Sequence, residues 1–118
     1  PNGPLTNERV FFDTSKFGSA SDGCTVDAEG NLWTALIGTG EIACIDPEGI
    51  LKVRLEMPIP LPSSVNFGGS KLSTLYVTSI SNSGNRTDNH PLSGHLFALH
   101  NVGEMGLKEP RFGPLTSI

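Results

Sequence analysis

Few residues in this sequence have types and spacings that could do chemistry, and they fall in two places. Asp22 stands in the run Ser21-Asp22-Gly23-Cys24. By spacing alone, an Asp before Gly is a turn residue that caps its own backbone. The polar stretch Ile80 to Leu92 carries Arg86, Asp88 and His90, which either touch a substrate or stand in water as an ordinary solvated loop. His90, His95 and His100 share no metal-binding spacing on one element. On a regular strand, His95 and His100 have opposite parity and point to opposite faces. Asp27, Glu29, Asp46 and Glu48 sit in runs that end in Gly, and read as hairpin turn chemistry and solubility. Cys24 and Cys44 form neither a disulfide framework nor a zinc spacing, and each lies in an apolar stretch as a small buried hydrophobe. No nucleophile elbow, phosphate loop or CxxC motif occurs.

Bulk properties exclude several classes. Charged residues are 17% and hydrophobic residues 36% of 118 positions, which describes one compact domain rather than a disordered tail. The formal net charge is -4 with no basic cluster, against the positive footprint that nucleic acid or an anionic membrane requires. No apolar run reaches the ~20 residues that span a bilayer. The opening Pro1-Asn2-Gly3-Pro4 has neither part of a secretory leader, so the expected location is cytoplasmic. The sequon Asn85-Arg86-Thr87 is then a chance match.

The elements that must position these residues are short strands. Apolar stretches are brief, rich in β-branched and aromatic residues, and bounded by Gly, Pro, Asn or Asp, with no sustained 3.6-residue period. The pattern predicts strands at Arg9–Phe12, Gly23–Asp27, Leu32–Leu36, Glu41–Ile45 and Ile50–Leu55. After Met57-Pro58-Ile59-Pro60-Leu61-Pro62 it restarts, with strands at Ser64–Phe67, Leu75–Ser79 and Gly94–Leu99. Aligning the halves sets Val26 near Phe67, Trp33 opposite Tyr76, and Gly40-Glu41-Ile42 opposite Gly94-His95-Leu96. A repeat of about 40 to 50 residues with four short strands is the signature of a propeller blade. A plain β-sandwich fits the strand spacing as well. The expected fold is all-β: blades over 22–56 and 63–112, preceded by an outer strand at 9–12.

The run Ser21-Asp22-Gly23-Cys24-Thr25-Val26-Asp27-Ala28-Glu29-Gly30-Asn31-Leu32-Trp33 resembles the DG…D-x-x-G-x-L-W hairpin of the gluconolactonase/regucalcin-like family. Gly40-Glu41-Ile42 through Asp46-Pro47-Glu48-Gly49 continues the likeness. So do Pro62 to Gly69, Leu75 to Ser79, His90 to Phe97, and Gly106-Leu107 with Pro110-Arg111-Phe112. The resemblance is to the C-terminal part of that family and covers nearly the whole chain in order. It implies a six-bladed propeller holding one divalent cation, calcium or zinc, in its channel, and hydrolysis of sugar lactones or related esters.

Of the family's three protein metal ligands, the resemblance assigns one to this chain, Asp22. The other two, a Glu and an Asn, belong to the N-terminal half, as do the substrate-binding Arg and Asn, and no segment here resembles their motifs. A hard cation wants about six or more oxygens, so the chain alone should not be a competent lactonase. Two functional readings follow: a fragment or reduced relative of a metal-dependent sugar lactonase, or a non-catalytic propeller module that binds partners. Two blades alone leave broad faces uncovered, so the missing half or further copies should cover them. Three copies would close a six-bladed ring if the strand at 9–12 completed the last blade of a neighbour.

Overall fold

The computed structural model of the protein describes residues 3–111 and 113. Seven strands form two antiparallel sheets. The first sheet is β1 (Ser21–Val26), β2 (Leu32–Leu36), β3 (Glu41–Ile45) and β4 (Leu51–Glu56), paired in chain order. The second is β5 (Pro62–Gly68), β6 (Thr74–Ser79) and β7 (Phe97–His100). Tight turns make this up-and-down order possible. Gly30 and Gly49 take φ of 86° and 81° in the β1–β2 and β3–β4 hairpins, where a side chain would be strained.

The two sheets stack face to face as neighbouring blades. Trp33, Ala35, Ile42 and Cys44 of the first pack against Val65, Phe67, Leu75 and Val77 of the second, with Met57 and Ile59 of the linker closing the cluster. The Trp33 and Phe67 rings meet edge to face, centroids 5.8 Å apart. The innermost strands lie closest together. A Cβ on Gly23 would sit 2.1 Å from the Ser64 Oγ and 2.8 Å from its Cα. Glycine at 23 is therefore what lets β1 approach β5.

Strand register reproduces the internal repeat. Trp33 pairs with Cys44 across β2–β3, and Tyr76 pairs with Ala98 across β6–β7. Counting back four residues from Cys44 and Ala98 reaches Gly40 and Gly94, the alignment drawn from sequence. Trp33 is 1% exposed and Tyr76 38%. Equivalent residues of successive blades face the same way round a ring. Trp33 is covered by the second blade, whereas Tyr76 stays partly open.

Three expectations change. Residues 9–12, expected as a strand, enter no ladder among the described residues. A strand needs a paired edge, and this segment instead lies across the first sheet, where Phe12 and Phe17 pack on Leu36, Ala43 and Ile45. A short 3-10 helix, Thr14–Phe17, capped by the Asp13 carboxylate on the Ser15 N–H, then turns the chain into β1. His95 precedes β7 instead of lying in it, so strand parity governs His100 alone. Cys24 is exposed, whereas Cys44 is buried as expected. The second sheet has three strands where the first has four, as anticipated; Phe112, the end of the expected second blade, lies outside the described residues.

Candidate functional site

Strand pairing decides which loops share an end. Ser21 pairs with Leu36, Glu41 with Glu56, and Pro62 with Ser79. The end bearing Asp22 therefore also carries the 37–40 turn, the 57–61 linker and the 80–96 loop. The opposite end carries the turns at 27–31, 46–50 and 69–73. Asp22, Arg86, Asp88 and His90 thus lie in segments at the same end of the sheets, but no hydrogen bond or ion pair among the described residues joins Asp22 to the other three.

Asp22 lies in a β-bulge. Ser21 faces Leu36 and Cys24 faces Thr34, so Asp22 and Gly23 together oppose Ala35. Bulges re-aim side chains at strand ends and recur beside functional sites. The Asp22 carboxylate is exposed and accepts no hydrogen bond among the described residues, so it is no turn cap in this fold. The second blade repeats the device: Pro62 faces Ser79 and Ser64 faces Thr78, leaving Ser63 as the extra residue. Ser63 is satisfied locally, its Oγ 2.8 Å from the Thr78 hydroxyl. Asp22 thus has the carboxylate that its counterpart lacks.

The 80–96 loop is braced from within. Asp88 N–H donates to Ser81 O at 2.8 Å, and Ser83 N–H to Arg86 O at 2.9 Å. The Asp88 carboxylate accepts the His90 N–H at 2.8 Å and the Ser93 hydroxyl. The Ser93 hydroxyl first, then the His90 N–H, holds the Asp88 carboxyl below its ordinary range, against a small opposing effect of desolvation. The His90 Nδ1 accepts the Leu92 N–H at 3.2 Å, and Ser79 Oγ ties the loop's end by donating to His95 O and accepting from Gly94 N–H.

The opposite end holds a buried carboxylate whose role sequence reading understated. Asp27 is 0% exposed, not a solubility residue. Its oxygens accept the Glu29 and Asn31 N–H groups, both at 2.9 Å, the Asn31 amide and the Trp33 indole N–H at 2.8 Å. Burial alone would raise its pKa, but the indole and amide donors outweigh it and hold the carboxyl below its usual value. The signal was present in the spacing of Asp27, Asn31 and Trp33. The returning chain closes over this hub: Ala28 N–H donates to Met105 O at 2.7 Å and Gly106 N–H to Leu72 O at 2.8 Å.

For a resident cation, Asp22 fits as one free oxygen ligand, but no cluster of three or more metal-binding side chains occurs among the described residues. The described residues by themselves do not complete such a site.

The stacked four- and three-stranded sheets, with a bulged carboxylate at the inner strand's mouth end, define a pair of β-propeller blades. Residues 1–81 match the SMP-30/gluconolactonase/LRE-like region, and the chain belongs to that family. It is 32% identical to chicken (Gallus gallus) regucalcin over 108 residues, 89% of this chain and 36% of the relative. It is 35% identical to the 6-deoxy-6-sulfogluconolactonase of Pseudomonas putida over 97 residues, 80% of this chain and 33% of the enzyme. Among solved structures, a calcium-binding regucalcin from Agrobacterium tumefaciens superposes with a TM-score of 0.78 at 29% identity, over 91% of this chain and 37% of its own. The chain thus spans about a third of the length of the relatives it matches.

Proposed function

We propose that this chain supplies the Asp22 side of a metal-dependent lactonase mouth, in a propeller completed by residues outside those described. The observation that carries it is the free Asp22 carboxylate, re-aimed by a bulge whose counterpart in the next blade holds a satisfied serine. A divalent cation, calcium or zinc, would polarise a lactone carbonyl and lower the pKa of a bound water. Asp22 would orient that cation, and the braced 80–96 loop would form one wall for a sugar lactone. Kinship with a sulfogluconolactonase supports this substrate class, and the calcium-binding neighbour supports the cation.

The test is lactone hydrolysis by the completed propeller with and without added calcium or zinc, comparing the native sequence with Asp22→Ala. Cation-dependent turnover lost on Asp22→Ala supports the reading. Turnover indifferent to both refutes it.

The open edge of the second sheet favours a second reading, a non-catalytic assembly module. A groove of about 450 Å³ between β4 and the open edge of β7 is lined by Val53, Leu55, Leu99 and Val102, of which Val53 is exposed and the other three are half-buried. Three copies closing a ring is the form this reading takes, and closure would require residues 9–12 to leave their own first sheet. Light scattering decides it: a mass near three chains supports the ring, and a well-folded monomer rules it out.

A further inference from the structure

We propose that Ser19 and Thr34 are positioning residues for Asp22, holding the bulge that carries its carboxylate before any cation arrives. The inference rests on the reading of Asp22 as the cation-bearing side chain of the mouth, and adds the residues that fix it there. Three features around the bulge carry it.

The first is a clip upstream of Asp22. Ser19 lies three residues before it and is 8% exposed. Its hydroxyl accepts the Gly38 N–H at 2.8 Å and donates to the Ala20 carbonyl at 2.9 Å. The Ala20 carbonyl also accepts the Ile37 N–H at 3.2 Å. The entry to β1 is thereby fastened to the turn that follows β2. The fit is close: a Cβ on Gly38 would sit 2.9 Å from the Gly18 carbonyl oxygen and 3.0 Å from the Ser19 Cα.

The second is a buried hydroxyl among apolar neighbours. Thr34 stands between Leu32 and Leu36 on one face of β2, opposite Ala43, and is 2% exposed. Burying a hydroxyl costs free energy unless it is bonded. Among the described residues its bond is to the Gly23 carbonyl, at 3.4 Å. Gly23 is the residue beside Asp22 in the bulge, where the ladder is interrupted. The bond is long, so Thr34 contributes less than Ser19.

The third is the contrast with the second blade. There the extra residue of the bulge, Ser63, is held by its own side chain, 2.8 Å from the Thr78 hydroxyl. The Asp22 side chain has no such bond among the described residues, so its place is set by the backbone on either side. Ser19 and Thr34 reach that backbone from different elements, the turn after β2 and β2 itself, yet both sets of bonds end within three residues of Asp22. The close approach of Gly23 to Ser64 closes the remaining side. A carboxylate fixed through its backbone keeps its oxygens free for a ligand and costs little to order on binding.

NMR of the native chain and its variants tests this, following the Asp22 and Gly23 amides and the Asp22 carboxyl carbon. The calcium affinity of the completed propeller is the second readout. Ser19→Ala should broaden the bulge signals by millisecond exchange, while the 46–50 turn and β5–β7 keep theirs. Calcium binding should weaken about fivefold, the weight of one ordinary hydrogen bond lost from the aimed state. Thr34→Val should do the same to a smaller degree, and Thr34→Ser should restore the native signals. Ser63→Ala, the counterpart change in the second blade, should leave the Asp22 signals in place. Should Ser19→Ala fail to fold, Thr34→Val with its serine rescue decides. Unmoved bulge signals in both variants overturn the proposal. Equal shifts throughout β1–β4 overturn it too, because the two residues then support the sheet in general. So does a calcium affinity unchanged in both variants but lost in Asp22→Ala, which leaves the reading of Asp22 intact. A calcium affinity unchanged by Asp22→Ala overturns that reading, and the proposal with it.

Discussion

Replacing Asp27 by Ala isolates what a buried carboxylate contributes beyond turn formation, because Asp46 provides an internal control. Asp46 sits in the same kind of turn and also accepts two backbone N–H groups, from Glu48 at 3.0 Å and Ile50 at 2.8 Å. It has no amide or indole partner, and the turn around it is open to water. Asp46→Ala should therefore cost about 1 kcal/mol, the usual net value of such bonds. Asp27→Ala instead leaves the Asn31 N–H, the Asn31 amide and the Trp33 indole N–H without an acceptor in a fully buried place. Each abandoned buried donor costs about 1–3 kcal/mol. Allowing for a water entering the vacated space, the total should be about 3–5 kcal/mol, a large share of the ~5–15 kcal/mol typical of a whole domain. Each kcal/mol lowers the midpoint of a domain near this size by about 4 °C or more. Asp27→Ala should thus melt at least ~12 °C below the native chain, and Asp46→Ala about 4–8 °C below. The chain's one tryptophan is Trp33 itself, so its fluorescence during urea or thermal unfolding reports directly on the site. Equal destabilisation by the two substitutions would refute the reasoning, since burial and the indole bond would then contribute nothing.

Acidification should act through the same residue. The folded Asp27 pKa is lowered, so its contribution is fully present above the unfolded value of ~3.9 and fades as pH falls from there towards the lowered native value; urea midpoints between pH 5 and 3 should drop more steeply for the native chain than for Asp27→Asn. The two thiols should separate in reactivity. Cys24 is exposed and should react with a thiol reagent in the native state, whereas Cys44 is buried and pushed up to about 11 by desolvation and then by Asp27, so one thiol per chain should titrate rapidly at pH 8 and the second only on unfolding. Gly23→Ala should loosen the two blades, costing about 1–3 kcal/mol because the added methyl meets the Ser64 backbone; an unchanged urea midpoint would contradict the packing described.

The regular part of this fold was legible because hairpin turns punctuate it. Leu32–Leu36 and Glu41–Ile45 carry the same limits in sequence and structure, since Gly30 and Gly40 bound them closely. Arg9–Phe12 has strand composition, but composition cannot supply an edge, and the segment took the apolar face of β2 and β3 instead. His95 was placed a few residues too deep in its strand, because the turn of Ser93 N–H on His90 O and His95 N–H on Leu92 O holds the chain out of the ladder until Phe97. Asp27 was misjudged for a different reason. Turn motifs such as Asp27-Ala-Glu-Gly and Asp46-Pro-Glu-Gly look alike in one dimension. What separates them is Asn31 and Trp33 downstream, and the chain folding back through Met105 and Gly106 to bury one and not the other.

The mouth shows why a motif can be visible while its chemistry stays incomplete. Asp22-Gly23 is a two-part device in which the residues have separable duties. Gly23 answers a packing demand, since only a missing Cβ lets β1 pass Ser64. Asp22 answers no packing demand: it is exposed, bonded to nothing described, and set in a bulge that the second blade fills with a self-satisfied serine. A free carboxylate gains little by standing in water, and nothing in the fold's stability calls for one at that position. Asp22→Ser should accordingly leave the melting temperature of the cation-free chain within about 4 °C, as surface changes usually fall within ±0.5 kcal/mol. Any cation binding or lactone turnover in the completed propeller should disappear with it. A large loss of stability in the cation-free chain would instead make Asp22 a structural residue, and would remove the observation on which the lactonase reading rests.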